Sequence, residues 1–164
     1  MAYLLFMAKE IERKFKICGD FRPQVTESHR IRQGYIAHEN GRTVRLRMVD
    51  DRAVLTIKGP QLQRGVSCRV EWEKEIPAAD AIELMGICQG GFIDKTRHIV
   101  PFEGHVFEVD EFHGDNDGLI FAEVELGSVD ETFEKPQWLG EEVTEDPRYY
   151  NSSLLKYPYK DWER

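Results

Sequence analysis

Alternation with a period of two runs through most of the chain. Lys9 to Ile17 sets Ile11, Phe15 and Ile17 on one side and Glu10, Glu12 and Lys14 on the other. That spacing belongs to a β-strand whose two faces meet different surroundings. Arg13 interrupts the apolar side. A short polar connection carrying Pro23 leads to a second strand at Gln33-Gly34-Tyr35-Ile36-Ala37, and Asn40-Gly41 signals a tight hairpin, since the preferred two-residue turn needs residues that tolerate positive φ. Thr43 to Val49 sets Val44, Leu46 and Met48 against Arg45 and Arg47, and Ala53 to Lys58 sets Leu55 and Ile57 against Thr56 and Lys58. Cys68 to Ile76 sets Val70, Trp72 and Ile76 against Arg69, Glu71, Glu73 and Glu75.

A helix is expected from about Ala78 to Cys88, followed by a Gly90-Gly91 break and a strand at Phe92 to Val100 that carries Lys95 and Arg97. His105 to Phe112 alternates Phe107 and Val109 with Glu108 and Asp110. After a turn-rich stretch from Gly114 to Gly118, Leu119 to Leu126 alternates Ile120, Ala122, Val124 and Leu126 with Glu123 and Glu125. Asp130 suits the N-cap of a short helix reaching about Glu134, its length limited by Pro136 and Gly140. Trp72 is expected on the outer face beneath a covering helix, and His98 in a structural role. Eight candidate strands with few helices and no internal repeat predict a mainly β, mostly antiparallel barrel, closed or nearly so. A length of 164 residues fits one domain, with its motif-bearing core at about 9–154.

The polar faces of these strands are unusual. Taken together they carry Lys14, Arg45, Arg47, Lys58, Arg69, Lys95 and Arg97 with Glu10, Glu12, Glu71, Glu73, Glu108, Asp110, Glu123 and Glu125, seven basic and eight acidic residues. A solvated face would mix in Ser, Thr, Asn and Gln; this one is almost purely charged. Its charges come as like pairs two residues apart, ~7 Å from each other on one face of a strand. If the sheet curls with that face inward, it encloses a wet lumen with acidic and basic sectors.

Net charge of -8, from 22 Lys+Arg against 30 Asp+Glu, disfavours a nucleic-acid partner gripped through its phosphate backbone. No apolar run approaches the ~20 residues of a membrane span, so no membrane partner is expected. Cys18, Cys68 and Cys88 have no CxxC spacing and fit reduced thiols in a cytoplasmic protein, and the five histidines form no zinc pattern. What remains is the lumen. Arg and Lys grip phosphate oxygens, and clustered carboxylates are stabilised by hard cations such as Mg²⁺ or Mn²⁺. Phosphoryl transfer needs both. The residues therefore point to a metal-dependent site for a small, phosphate-rich anion.

Glu10-Ile11-Glu12-Arg13-Lys14 resembles the ExExK signature of the CYTH superfamily, the triphosphate tunnel metalloenzymes. The resemblance continues in order through Gln33-Gly34-Tyr35, Arg45 and Arg47, Lys58-Gly59, Arg69 with Glu71 and Glu73, Lys95-Thr96-Arg97, Asp110, Glu123 and Glu125, and Glu145-Asp146-Pro147-Arg148-Tyr149-Tyr150-Asn151. It implies an eight-stranded antiparallel tunnel, open on one side in some members. The short chain and the segment Trp138 to Asp146 look most like the compact bacterial inorganic triphosphatases. By this likeness Glu10, Glu12, Glu123 and Glu125 would hold Mg²⁺ or Mn²⁺, and Arg45, Arg47, Lys58, Arg69, Lys95 and Arg97 would bind substrate phosphates. Lys14 would lie beside the metals and contact phosphate. Glu71, Glu73 and Asp110 join it in the catalytic set, either binding metal or positioning basic side chains.

The expected activity is hydrolysis of tripolyphosphate. A class IV type adenylyl cyclase, a thiamine or nucleoside triphosphatase, and a non-catalytic polyphosphate sensor are the alternatives. The oligomeric state is open, with a homodimer among the arrangements allowed. Members of the family it resembles often begin two or three residues before ExExK, which would make Met7 the natural start; no motif lies in Met1 to Phe6, so a chain lacking them is expected to retain activity in a phosphate-release assay.

Overall fold

A computed structural model describes residues 9–163; the Met1 to Phe6 expectation lies outside the described residues. The elements are β1 (Lys9–Ile17), β2 (Glu27–Glu39), β3 (Arg42–Val49), β4 (Arg52–Lys58), β5 (Ser67–Ile76), α1 (Ala78–Met85), β6 (Gln89–Phe102), β7 (His105–Phe112), β8 (Ile120–Glu125), β9 (Leu139–Glu142) and α2 (Asn151–Leu154). The sheet runs β5-β4-β3-β2-β6-β7-β8-β1, and β1 pairs back onto β5, closing an eight-stranded antiparallel barrel. β1 joins the ring along both edges. It pairs with β8 over Glu12 to Lys16, and its other edge is shared between β5 at Lys9 to Glu12 and β9 at Phe15 and Ile17.

The eight expected strands form, and the β2–β3 hairpin turns at Asn40 (φ 49) and Gly41 (φ 75) as their sequence requires. β2 is longer than the pattern suggested, because its first half, Glu27 to Arg32, is recruited by pairing with both β3 and β6. Gly34 lies where a Cβ would stand 3.0 Å from Cys88 Sγ and from the Phe92 ring, so a side chain there would push away the entry to β6.

The alternation places the apolar residues on the outside. Ile11, Phe15, Phe107, Val109, Ala122 and Val124 form an outer core with Phe21, Trp138 and Leu139. The segment between β8 and β9 covers this face, stacking Phe133 edge-on to Phe15 and Phe107. Arg13, the break in the apolar side of β1, is explained here. Its guanidinium is clamped by both carboxylate oxygens of Glu142 on β9 and lies over the Phe15 and Phe133 rings. A second cluster, Ile93, Phe112, Phe121, Tyr149, Leu154 and Trp162, includes side chains on the inward-facing rows of β6, β7 and β8 and fills that part of the barrel. The C-terminal residues cap it, with Trp162 packed on Tyr149 and Tyr159.

Three expectations are corrected. The helix ends at Met85, before Cys88, and packs over Leu46 and Ala53. Trp72 is consequently not beneath it; it is 44% exposed beside Ile57, also 44%, its neighbour on β4. No helix starts at Asp130. Glu131 instead accepts a hydrogen bond from Gly127 N and pairs with His105 Nε2 at 2.8 Å, holding the chain extended so that Val129 and Phe133 reach the outer core. The four-residue β9 is additional. Among the described residues no helix is long and apolar enough to cross a membrane.

Phe107 is fully buried against Trp138 and Phe133. Phe107→Ala is expected to cost about 3–5 kcal/mol, and Trp72→Ala less than about 1 kcal/mol. Urea denaturation of the two variants checks the contrast.

Candidate functional site

The polar rows point inward and enclose a cavity of about 920 Å³. One mouth lies by Gly104, His105, Gly127 and Glu131; the other is framed by His38, Gly41, Gln61, Gln63, Arg64, Gly65, Glu145, Tyr150 and Asn151. These groups sit at opposite ends of the antiparallel strands, so the cavity runs along the barrel as a tunnel. Of the sequence-selected residues, Glu10, Glu12, Lys14, Arg45, Arg47, Lys58, Arg69, Glu71, Glu73, Arg97, Glu123 and Glu125 all line it. Lys95 and Asp110 do not. Both are fully buried on the inward rows, with Lys95 against the interior ring of Phe112.

Register explains the charge layout. Glu12 stands directly opposite Glu125, and Lys14 opposite Glu123. Glu108 faces Glu123 from β7, and Arg97 faces Asp110. Like charges in opposed positions repel, so the cations between them hold the wall together. Lys14 Nζ donates to Glu12 Oε1 at 3.1 Å and to Glu123 Oε1 at 2.7 Å. Lys58 Nζ bonds Glu10 and lies 3.2 Å from Glu71 Oε2. Arg97 binds Asp110 through Nε at 2.7 Å and Nη2 at 2.8 Å and also pairs with Glu108. Lys95 Nζ donates to Asp110 at 2.6 Å and to Asn151 Oδ1 at 3.0 Å.

These pairings set the protonation states. Burial alone would lower Lys14, but Glu12 and Glu123 reverse that and raise it. Burial would raise Glu123, yet Lys14 and Arg97 hold it well below the usual carboxylate range. Glu12 moves the other way, raised by burial and by Glu123 despite Lys14. Glu125 is raised by burial and then by Glu10, Glu108, Glu71 and Glu12. Burial pushes Lys95 down to about 7 against the pull of Asp110, with Arg97 and Arg47 adding to the decrease. Arg47 is pushed down to about 10 by burial and by Arg45 and Arg97.

Two kinds of unmet demand remain in the tunnel. Arg45 Nε and Arg69 Nε are buried without a hydrogen-bond partner, and Glu71 Oε2, although 3.2 Å from Lys58 Nζ, accepts no hydrogen bond. The guanidiniums call for an anion, which buried donors need. The crowded carboxylates Glu10, Glu12, Glu71 and Glu125 form an all-oxygen donor set, which suits a hard divalent cation. Lys14 and Lys58 stand among these carboxylates. Among the described residues no three carboxylate, His or Cys groups already converge as a ligand cage, so a cation would have to exchange places with ammonium groups.

Several participants carried no assigned role in the sequence. Gln33, fully buried, accepts from Arg47 Nε at 2.9 Å and donates to Tyr35 OH and Asn151 Oδ1, both at 3.3 Å. Thr56 accepts from Arg45 Nη2 at 3.3 Å and donates to Glu73 Oε2 at 3.1 Å, linking those two residues. Thr144 Oγ1 accepts from Lys14 N at 3.0 Å. Gln33 and Thr56 lie on the inward rows of strands otherwise read by their charges, and that placement was their available signal. Tyr149 belongs to the buried cluster, whereas Tyr150 lines the tunnel. His98 bonds Ser28 and Glu111 and packs on Phe21, a structural role.

The chain is similar to an inorganic triphosphatase of Acetivibrio thermocellus, 45% identical over 158 residues, covering 96% of this chain and 99% of that protein. It is also similar to an inorganic triphosphatase of Nitrosomonas europaea, 36% identical over 149 residues and covering 88% and 95%. A crystal structure of an inorganic triphosphatase superposes with a TM-score of 0.64 at 33% identity, covering 91% of this chain and 95% of the other. The CYTH domain profile matches residues 8–157, and with the closed charged tunnel this places the chain in the CYTH family.

Proposed function

We propose that this protein hydrolyses inorganic triphosphate to diphosphate and phosphate, with a divalent cation held in the tunnel. The observation that carries the reading is the pair of unpartnered buried guanidinium nitrogens, Arg45 Nε and Arg69 Nε, in one cavity with a crowd of inward carboxylates. The two full-length relatives named inorganic triphosphatases support the same substrate.

In this reading Arg45, Arg47, Lys58, Arg69 and Arg97 bind phosphate oxygens, and Glu10, Glu12, Glu123 and Glu125 hold the cation. A bound divalent cation supplies charge neutralisation at the phosphates and lowers the pKa of water. The protein's part is positioning. Asp110 takes bonds from both Lys95 and Arg97 and thereby fixes the Arg97 fork from behind. Glu73 orients Arg45 through Thr56, and Gln33 fixes Arg47. Glu71 shares Lys58 with Glu10. Lys14, now between Glu12 and Glu123, is placed to turn its ammonium to phosphate when a cation takes over those carboxylates. Lys95, inside the barrel over the Phe112 ring, supports the lining through Asp110 and Asn151. Water attacks the terminal phosphorus, the bridging P–O bond breaks, and the diphosphate leaves with that oxygen.

Phosphate release from tripolyphosphate, ATP and thiamine triphosphate, run with Mg²⁺ and with Mn²⁺ while cyclic AMP is monitored, tests the reading. Strong preference for tripolyphosphate is expected; cyclic AMP or no turnover would overturn it. Glu12→Gln is expected to lower kcat about 100-fold or more while tripolyphosphate binding by calorimetry persists, and chelation of divalent ions is expected to abolish turnover.

Glu12 and Glu125 are both raised above the usual carboxylate value of 4.5. A carboxylate raised in the folded state favours folding when protonated and opposes it as pH rises through that raised value. A divalent cation relieves the opposition only where these groups are ionised. The gain in melting temperature from Mg²⁺ with tripolyphosphate is therefore expected to be larger at pH 8 than at pH 5, as thermal melts at the two values check.

A further inference from the structure

The connection between β4 and β5, residues 59–66, is not accounted for by the strand-borne site. Its base is fixed. Gly59 N donates to Val70 O and Leu62 N to Cys68 O, both at 2.8 Å, the Gln61 amide bonds Val66 O, and Val66 is buried. Beyond that base Gln63, Arg64 and Gly65 are exposed, yet all three line the tunnel mouth. Gly65 has φ +82 with nothing within 4 Å of a built Cβ, so glycine there serves backbone conformation rather than packing. The tip is tied to the segment that follows β9 by Gly65 N donating to Glu145 Oε1 at 2.8 Å. Glu145 also lines the tunnel, and it begins the Glu145 to Asn151 segment, whose Tyr149 is anchored in the buried cluster.

Arg64 differs from the strongly held cations of the tunnel. Lys14, Lys58 and Arg97 are each engaged with carboxylates. Among the described residues the Arg64 guanidinium has neither an ion pair nor a hydrogen bond. Arg45 and Arg69, each with an unpartnered Nε, line the same cavity, so an anion in it meets cations from the wall and from this loop. Taking the triphosphate reading as given, we propose that Arg64 is a further substrate-binding residue, folding over the phosphate nearest the mouth, and that Glu145 is its positioning residue, acting through Gly65. A guanidinium offers a phosphate two parallel charge-assisted bonds, and an unpaired one breaks no existing pair to do so.

Arg64→Ala is expected to raise KM for tripolyphosphate about tenfold, the equivalent of one charge-assisted hydrogen bond, with kcat within about twofold. Arg64→Lys should recover only part of the loss, since Lys lacks the fork. Glu145→Ala should raise KM in the same direction, and the double variant should be no worse than Arg64→Ala alone, because residues acting through one contact are not additive. An unchanged KM in Arg64→Ala, or a loss confined to kcat, overturns the binding role. Additive effects overturn the positioning role.

Trypsin cleavage after Arg64, followed by mass spectrometry of wild-type fragments, gives a readout independent of turnover. Tripolyphosphate with Mg²⁺ should slow that cut at least about fivefold, in line with the mass-action protection of a bound state. If tripolyphosphate raises the melting temperature but leaves cleavage after Arg64 unchanged, the Arg64 proposal falls while the triphosphatase reading stands. If tripolyphosphate with Mg²⁺ does not move the melting temperature at all, both fall.

Discussion

The structure depends on the bridge that Lys14 makes between Glu12 and Glu123. In a closed sheet every second side chain must point inward, and here the inward rows are charged. Cross-strand register brings Glu12 against Glu125 and Glu108 against Glu123. In a setting drier than bulk water such opposed carboxylates would force the strands apart. Interleaved ammonium and guanidinium groups offset this repulsion. The residues that keep the barrel shut are therefore the same ones that a phosphate anion and a cation would recruit.

A polar interior also changes where the apolar core can lie. Instead of filling the barrel, most of it forms on the outer face of β1, β6, β7, β8 and part of β5, beneath the chain between β8 and β9. A smaller patch lies beneath α1. Inside, the apolar cluster around Phe112 and Phe121 occupies one region of the barrel. It also touches the charged wall, with Lys14 Nζ 5.5 Å from the centre of the Phe121 ring and Lys95 Nζ 5.4 Å from that of Phe112. Aromatic faces attract cations at such distances, so the cluster contributes to holding both ammonium groups.

Most of the barrel was legible because period-two alternation is a strong signal and the charged rows lacked the neutral polar residues of a solvated face. The tunnel-lining residues followed from the same pattern. What alternation does not encode is the layer that covers a face. It put Trp72 on the outside correctly, but only the packing of α1 over Leu46 and Ala53 shows that nothing among the described residues lies over it as a helix. It was equally silent about surroundings, placing Lys95 beside Arg97 without showing that one is buried against the interior Phe112 ring and the other reaches the cavity. β9 escaped notice because four residues containing Gly140 have little propensity of their own; β1's free edge makes them a strand. The capping signal at Asp130 failed for the converse reason, since burial of Phe133 outweighs one helical turn.

The double role of β1 along both of its edges has a consequence for how the ring comes into being. Lys14 and Glu123 are 109 residues apart, and β9, the last strand, completes β1's other edge. Hairpins such as β2–β3 and β6–β7 are local and can form as soon as they emerge from the ribosome. Among the described strands, the first in chain order is the last to be fully paired. Long-range closures of this kind are slow and leave an open edge while they wait. Until β8 and β9 are made, β1 can pair only with β5, over Lys9 to Glu12, and the Glu and Lys residues that later line the tunnel protect its waiting edge from pairing with another chain.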